Sequence, residues 1–195
     1  HITVAEIGSI SNMSKGKIGK KLLSNPVLQT IQINSGSMLG CITAEGQIIG
    51  VPARKLFVAE NTHLFDIDFR IKTDVVYIFE ITKDDLDKQF VTIVTKDGII
   101  KKTELSEYNN FKSLIFAIKL KEGDQVAHAS ITNDDEFIVI GGQEKTLKYG
   151  LDTVKPTGRY TMGVKAHDIG KMFGVVTGKA EDKVIVYDAS GAGKM

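Results

Sequence analysis

Phe90-Val-Thr-Ile-Val-Thr-Lys-Asp-Gly-Ile-Ile-Lys-Lys-Thr103 reads as two strands folded about a tight turn. Asp97-Gly98 lies between apolar runs, where a hairpin turn calls for positive φ and glycine adopts it without strain. The same plan returns at Ile2–Met13, Met38–Val51, Phe137–Tyr149 and Val184–Met195. Its hinge positions are Gly8, Gly46, Gly98, Glu144 and Gly191, spaced by 38, 52, 46 and 47 residues. Paired strands recurring at 40 to 50 residues predict a propeller-like array of small sheets. Arrays of this kind are binding surfaces more often than catalysts.

The repeat extends past the hairpin. A shift of 46 carries Val91–Val94 onto Phe137–Ile140, and the same shift carries Ala117-Ile118-Lys119 onto Gly163-Val164-Lys165. Glu144 stands where the other turns have glycine, so that turn is expected to take another form, helped by Gly141 and Gly142. The competing reading is a generic β-sandwich with glycine turns. The expectation is an all-β chain of about four blades, residues 1–195 forming one domain cut from a longer polypeptide.

Composition fits this expectation. The chain has 195 residues, 42% of them hydrophobic, and no Trp, enough for one domain with its own core. The longest apolar stretch, Leu114–Ile118, is too short to span a bilayer, and no leader-like segment opens the chain. The single cysteine, Cys41, rules out an internal disulfide and fits a reducing compartment.

The net charge of +1 announces no nucleic-acid binder, but its distribution is uneven. Lys15, Lys17, Lys20 and Lys21 cluster beside Gly16 and Gly19 with no acid among them. Between Glu60 and Asp87 the sign inverts: eight acidic residues face Arg70, Lys72 and Lys83. A basic rim on some blades and an acidic surface on another would follow. Lysines that only keep exposed turns soluble are the bland alternative.

Catalytic patterns fail on inspection. Ser190-Gly191-Ala192-Gly193-Lys194 has the look of a phosphate-loop ending, but Asp188 and Met195 stand where Gly and Ser or Thr are required. His63, His128 and His167 are scattered, Cys41 has no partner cysteine, and no zinc pattern results. Asp84, Asp85 and Asp87 read as a solvated turn rather than a magnesium site. No metal ligand or catalytic residue is assigned. Phe137-Ile138-Val139-Ile140-Gly141-Gly142 looks like the end of a kelch strand, yet the glycine pair occurs once and tryptophan is absent, leaving a kelch-like protein-interaction propeller as a rival.

Three blocks carry a closer resemblance: Val94–Tyr108 (VTKDGIIKKTELSEY), Ile118–Val126 (IKLKEGDQV) and Val154–Lys165 (VKPTGRYTMGVK). In order and spacing they resemble the C-terminal domain of the A subunit of bacterial type IIA topoisomerases, DNA gyrase and topoisomerase IV. Residues 2–56 match more loosely and 57–89 poorly. The resemblance implies a β-pinwheel whose blades exchange strands and whose basic outer edge binds and bends double-stranded DNA. It implies a non-catalytic domain of a cytoplasmic enzyme active in chromosome segregation. The rest of the A subunit would hold the cleaving tyrosine. Its partner would be the ATPase B subunit, with ATP and magnesium used elsewhere in the enzyme. Gyrase carries a Gln-Arg-Arg-Gly-Gly-Arg-Gly box needed for chiral wrapping. Here Ser14–Lys21 keeps glycine and basic character without the Gln-Arg-Arg opening, which favours topoisomerase IV over gyrase.

The resemblance makes Lys15, Lys17, Lys20, Lys21, Lys101, Lys102, Lys119, Lys148, Arg159 and Lys165 the expected phosphate contacts. Lys101, Lys102 and Lys148 follow hairpin turns, where the family carries rim charges. Arg159 and Lys165 belong to the best-matched connecting block. Such contacts neutralise phosphates, release counterions and read no sequence.

Overall fold

The computed structural model describes residues 1–4, 27–57, 61–82, 86, 89–108, 114–166, 168–187 and 193–194. Its strands are β1 (Met38–Thr43), β2 (Gln47–Pro52), β3 (Val75–Ile81), β4 (Phe90–Thr95), β5 (Ile99–Glu104), β6 (Ile115–Phe116), β7 (Val126–Thr132), β8 (Phe137–Gly142), β9 (Thr146–Gly150), β10 (Val164–Lys165), β11 (Met172–Gly178), β12 (Val186–Tyr187) and β13 (Gly193–Lys194). The one α-helix among the described residues is the single turn Leu64–Ile67. Among them no helix is long and apolar enough to cross a membrane.

The hairpins arise locally. Gly46 and Gly98 take φ of +74° and +76°, and each donates its N–H back to a threonine carbonyl, Thr43 O or Thr95 O, at 3.0 Å. The hydroxyls of those threonines accept from Gln47 N and Ile99 N at 3.2 Å. This is a type I turn closed by a left-handed glycine, a favoured three-residue hairpin loop. At the third hairpin Gly142 N donates to Lys145 O at 3.0 Å, and Glu144 adopts no positive φ. The expected change of turn form is present.

Strand exchange builds the blades. The first sheet has the order β3-β1-β2-β6 and the second β10-β5-β4-β7, while the third contains β11-β8-β9. β6 comes from the stretch after the second hairpin, and β10 from the stretch after the third. Each stretch leaves its own blade by a 3-10 turn, Leu105–Tyr108 or Leu151–Thr153. It then lies along the outer edge of the preceding blade and returns as β7 or β11. An isolated bridge between Ile2 and Thr62 extends this pattern before the first blade. β3, β7 and β11 approach one another across blades, so they line the inner side and leave β6 and β10 on the outer edge. The pair β12–β13 begins a further hairpin. The remainder of the Ile2–Met13 and Val184–Met195 copies, hinges included, lies outside the described residues.

The 46-residue shift fails in detail. Phe90 pairs with Glu104 and Phe137 with Gly150, so Phe90, not Val91, corresponds to Phe137. On the exchanged strands Ala117 N donates to Gly46 O and Ala166 N to Gly98 O, both at 2.8 Å. Ala117 therefore corresponds to Ala166 rather than to Gly163. Insertions in the connections are absorbed outside the sheets, while strand register is set by burial, since a one-residue slip would exchange the two faces.

Three apolar clusters hold the array. One joins Ile42, Ile48 and Phe79 of the first blade to Val91, Ile93 and Ile99 of the second. A second joins Val94 and Ile100 to Ile138, Ile140 and Leu151 of the third. The third covers the far face of the first blade, with Leu39, Cys41, Ile49 and Val51 at its centre. Each fully buried Ile, Leu or Val contributes roughly 1.5–3 kcal/mol, so the blades are bound through their faces.

Candidate nucleic-acid interface

The outer edge is made by the two exchanged stretches, which lie side by side. Lys119 N donates to Thr161 O at 2.9 Å, and the rings of Phe116 and Tyr160 meet at 5.6 Å. The second stretch is laid along β5 by Thr157 N to Lys102 O at 2.9 Å and Ala166 N to Gly98 O at 2.8 Å. Gly163 is required where it crosses: its φ is +80°, and a Cβ there would stand 2.6 Å from Ile100 O and 2.9 Å from Lys101 Cβ. The turn at 157–161 is held by Thr161, whose hydroxyl donates to Gly158 O at 2.9 Å and accepts from the Thr157 hydroxyl at 3.0 Å.

Of the expected phosphate contacts, Lys119, Arg159 and Lys165 are exposed on this edge. Arg159 Nη1 donates to Glu107 O at 3.2 Å, which anchors the guanidinium across the seam between the stretches. Lys148 is exposed on β9, its Nζ 4.0 Å from the centroid of Phe137. Lys15, Lys17, Lys20 and Lys21 lie outside the described residues.

Lys101 and Lys102 require correction: both are buried, each 1% exposed, and neither is available to phosphate. β5 is an inner strand of its sheet, covered at its edge by the second exchanged stretch and on both faces by neighbouring blades. Lys101 pairs with Ile93 across β4–β5, so it points between the first and second blades. There its Nζ donates to Thr103 Oγ1. Burial lowers its pKa to about 8, with the Glu107 carboxylate opposing. Lys102 points between the second and third blades. Its Nζ pairs with Asp134 Oδ1 at 2.6 Å, donates to Leu151 O, and lies 4.5 Å from the Phe90 centroid.

The sequence reading also passed over residues that share the edge: Lys155, exposed at the start of the second stretch, and the aromatic pair Phe116 and Tyr160. A signal was available. Residues 108–121 and 153–167 contain no Asp or Glu, and their described parts, 114–121 and 153–166, include the strands on the outer edge of the first and second blades. Acidic neighbours lie beside them: Glu104 and Glu107 are exposed where the first stretch leaves β5. Surface lysines on opposite sides of an acid-free strip add their fields, whereas paired ones cancel.

Other polar centres are structural. Arg70 Nη2 bridges Asp68 Oδ2 at 2.7 Å and Gly50 O at 2.8 Å, and this ion pair holds Asp68 below the usual carboxylate range. Cys41 is fully buried, and burial, followed by the nearby Asp68 carboxylate, pushes its thiol up to about 12. A thiol so protonated is a packing group rather than a nucleophile. Among the described residues no cluster of three or more His, Cys, Asp or Glu is placed to hold a metal ion.

Comparison with known proteins bears on the same region. The family described as "DNA gyrase C-terminal domain, beta-propeller" matches residues 89–133 and 135–169. The DNA gyrase A protein of Halalkalibacterium halodurans is 33% identical over 93 residues, which are 47% of this chain and 11% of that protein. Its counterpart in Helicobacter pylori strain J99 is 25% identical over 193 residues, 92% of this chain and 23% of that protein. The chain thus spans between about a tenth and a quarter of the length of these relatives. Among solved structures, the C-terminal domain of DNA topoisomerase IV superposes with TM-score 0.69 at 22% identity, covering 82% of this chain and 53% of that one. The DNA gyrase A C-terminal domain gives 0.64 at 21% identity, covering 87% and 59%. At these identities the structural likeness establishes the fold: the strand-exchanging β-pinwheel expected from the resemblance.

Proposed function

We propose that this chain, whose residues 89–133 and 135–169 match the DNA gyrase C-terminal domain family, binds and bends double-stranded DNA as a non-catalytic module of a type IIA topoisomerase A subunit. One observation carries the reading. Two acid-free stretches lie side by side on the outer edge, with Lys119, Lys155, Arg159 and Lys165 exposed along them. Phosphate contacts spaced along a convex edge favour a curved duplex over a straight one. Bending two or three helical turns costs about 1–6 kcal/mol, which several such contacts can offset. The kelch-like alternative is not favoured, because the family match spans the second and third hairpins.

The finer reading is topoisomerase IV, with the bent duplex presented for strand passage in decatenation and relaxation. It rests on Ser14–Lys21, basic and glycine-containing but without the Gln-Arg-Arg opening. In this reading the chain works in the cytoplasm with an ATPase B subunit, while ATP and magnesium serve other parts of the enzyme. The gyrase reading draws on the curated relatives, which carry that name.

Two assays test these levels. Duplex retardation should show no sequence preference and should weaken steeply from low to moderate salt, with a log–log slope near −0.9 per phosphate contact. Failure to bind at low salt would end the DNA-binding reading. Relaxed circles closed by a nicking-closing enzyme at saturating protein should show little linking-number change. A large positive shift would favour gyrase.

A further inference from the structure

The basic edge carries an apolar tip that phosphate binding leaves unexplained. Phe116 is 44% exposed and Tyr160 60% exposed, and their rings meet at 5.6 Å with planes tilted by 57°. Met162 and Val164, next along the second stretch, are exposed as well, at 39% and 58%. Tyr160 stands on the turn pinned by the Thr161 hydroxyl, so it is presented on a braced loop rather than a free tail. Arg159 precedes it, Lys165 follows it, and the Lys119 backbone is bonded to Thr161. No acidic residue occurs in either stretch that forms the patch.

Exposed large apolar side chains that cluster mark an interaction surface. An apolar cluster flanked by cations, on stretches that themselves carry no acid, suits a polyanion with an apolar interior, and duplex DNA has one in its base stack. Proteins that bend DNA insert such side chains from the minor groove between base pairs and open a kink of about 20–90°. A smooth basic edge would only follow the duplex. A braced aromatic at the seam between two blades would fix where the duplex turns.

We propose that Phe116 and Tyr160 form a wedge that enters the minor groove of bound duplex DNA and kinks it at the seam between the first and second blades. This rests on the DNA-binding reading above and adds to it a site of deformation. Flexible pyrimidine–purine steps such as TA are the favoured points of entry.

The test uses this chain with a duplex of about 30 base pairs, end-labelled for energy transfer and carrying 2-aminopurine at a central TA step. The unaltered protein should bend the duplex and raise 2-aminopurine fluorescence through unstacking. The double variant Phe116→Ala, Tyr160→Ala should lose at least about 20° of bend and the fluorescence rise, while its salt slope stays unchanged. Tyr160→Leu, which keeps an apolar wedge, should retain most of both signals. If the double variant bends and unstacks DNA as the unaltered protein does, the wedge is excluded, and a lower melting temperature in that variant would make the pair a tie between stretches only. If the unaltered protein binds but never unstacks 2-aminopurine, the wedge fails while DNA binding stands. If the unaltered protein does not bind duplex at low salt, both readings fall together.

Discussion

Lys102 and Lys148 occupy one repeat position in two blades and have opposite fates. Lys102 pairs with Thr92 across the second hairpin, and Lys148 with Val139 across the third. Each ammonium rests on the phenylalanine that opens its hairpin, Phe90 at 4.5 Å and Phe137 at 4.0 Å. Yet the Lys102 side chain is 1% exposed, while Lys148 is exposed. The third blade covers Lys102 and supplies Leu151 O, and Asp134 on the approach to β8 supplies the carboxylate. Among the described residues no such cover lies on Lys148. Beyond Val139 in the same row, Val176 of β11 is exposed too, at 41%. In a repeat array the side chain's role is written by the neighbouring blade. The same Phe–Lys pair is a buried ion-pair site in one blade and a surface cation in the next.

The largest expected difference is in stability. Lys102→Ala removes a buried stem and leaves Leu151 O with only the 3.2 Å bond from Val154 N, so it should cost about 1–3 kcal/mol. Lys148→Ala loses a solvated cation–π contact and should cost below about 1 kcal/mol. Urea unfolding of both variants measures this. Equal costs would mean that the third blade does not seal Lys102.

The next effect concerns Lys101, the other buried lysine of β5. Its folded pKa of about 8 lies below its ordinary value of 10.5, so below pH 8 the folded state carries the cost of a buried charge. Stability should therefore rise as pH climbs from 8 towards 10.5. Cys41 opposes above pH 9, since its thiol ionises in the unfolded chain first. The comparison that isolates the lysine is the unaltered chain against Lys101→Met, whose stability gap should shift by about 1 kcal/mol per pH unit between 8 and 9. A gap independent of pH would show that water reaches the amine.

Smaller effects separate the two phenylalanines. Phe90→Leu and Phe137→Leu keep apolar bulk and lose the ring face, so each should cost about 0.5–2 kcal/mol, more at the desolvated Phe90 site. On DNA the order reverses. Lys148→Ala and Lys165→Ala should each flatten the salt slope by about 0.9 if they meet a phosphate, whereas Lys102→Met should leave it unchanged. A flattened slope in Lys102→Met would return that lysine to the interface.

Local geometry was legible in the chain itself. The turns at Gly46 and Gly98 follow from threonine and glycine placed three residues apart, and the bonds that close them span no more than four residues. Glycines set between apolar runs marked the hairpins for the same reason, and the exchanged blades followed from the resemblance. The 46-residue shift misplaced both Phe137 and Ala166, because connections vary in length while strand pairing does not. Neither the burial of Lys101 and Lys102 nor the meeting of Phe116 with Tyr160 could be read in this way. Both depend on stretches distant in sequence that cross onto a preceding blade, and side-chain exposure is a property of the assembled faces. The residue types and turns of each hairpin were determined by the sequence alone. Which lysines face water and which face another blade was decided only when the blades closed on one another, because desolvation depends on what covers a group and not on the residues beside it.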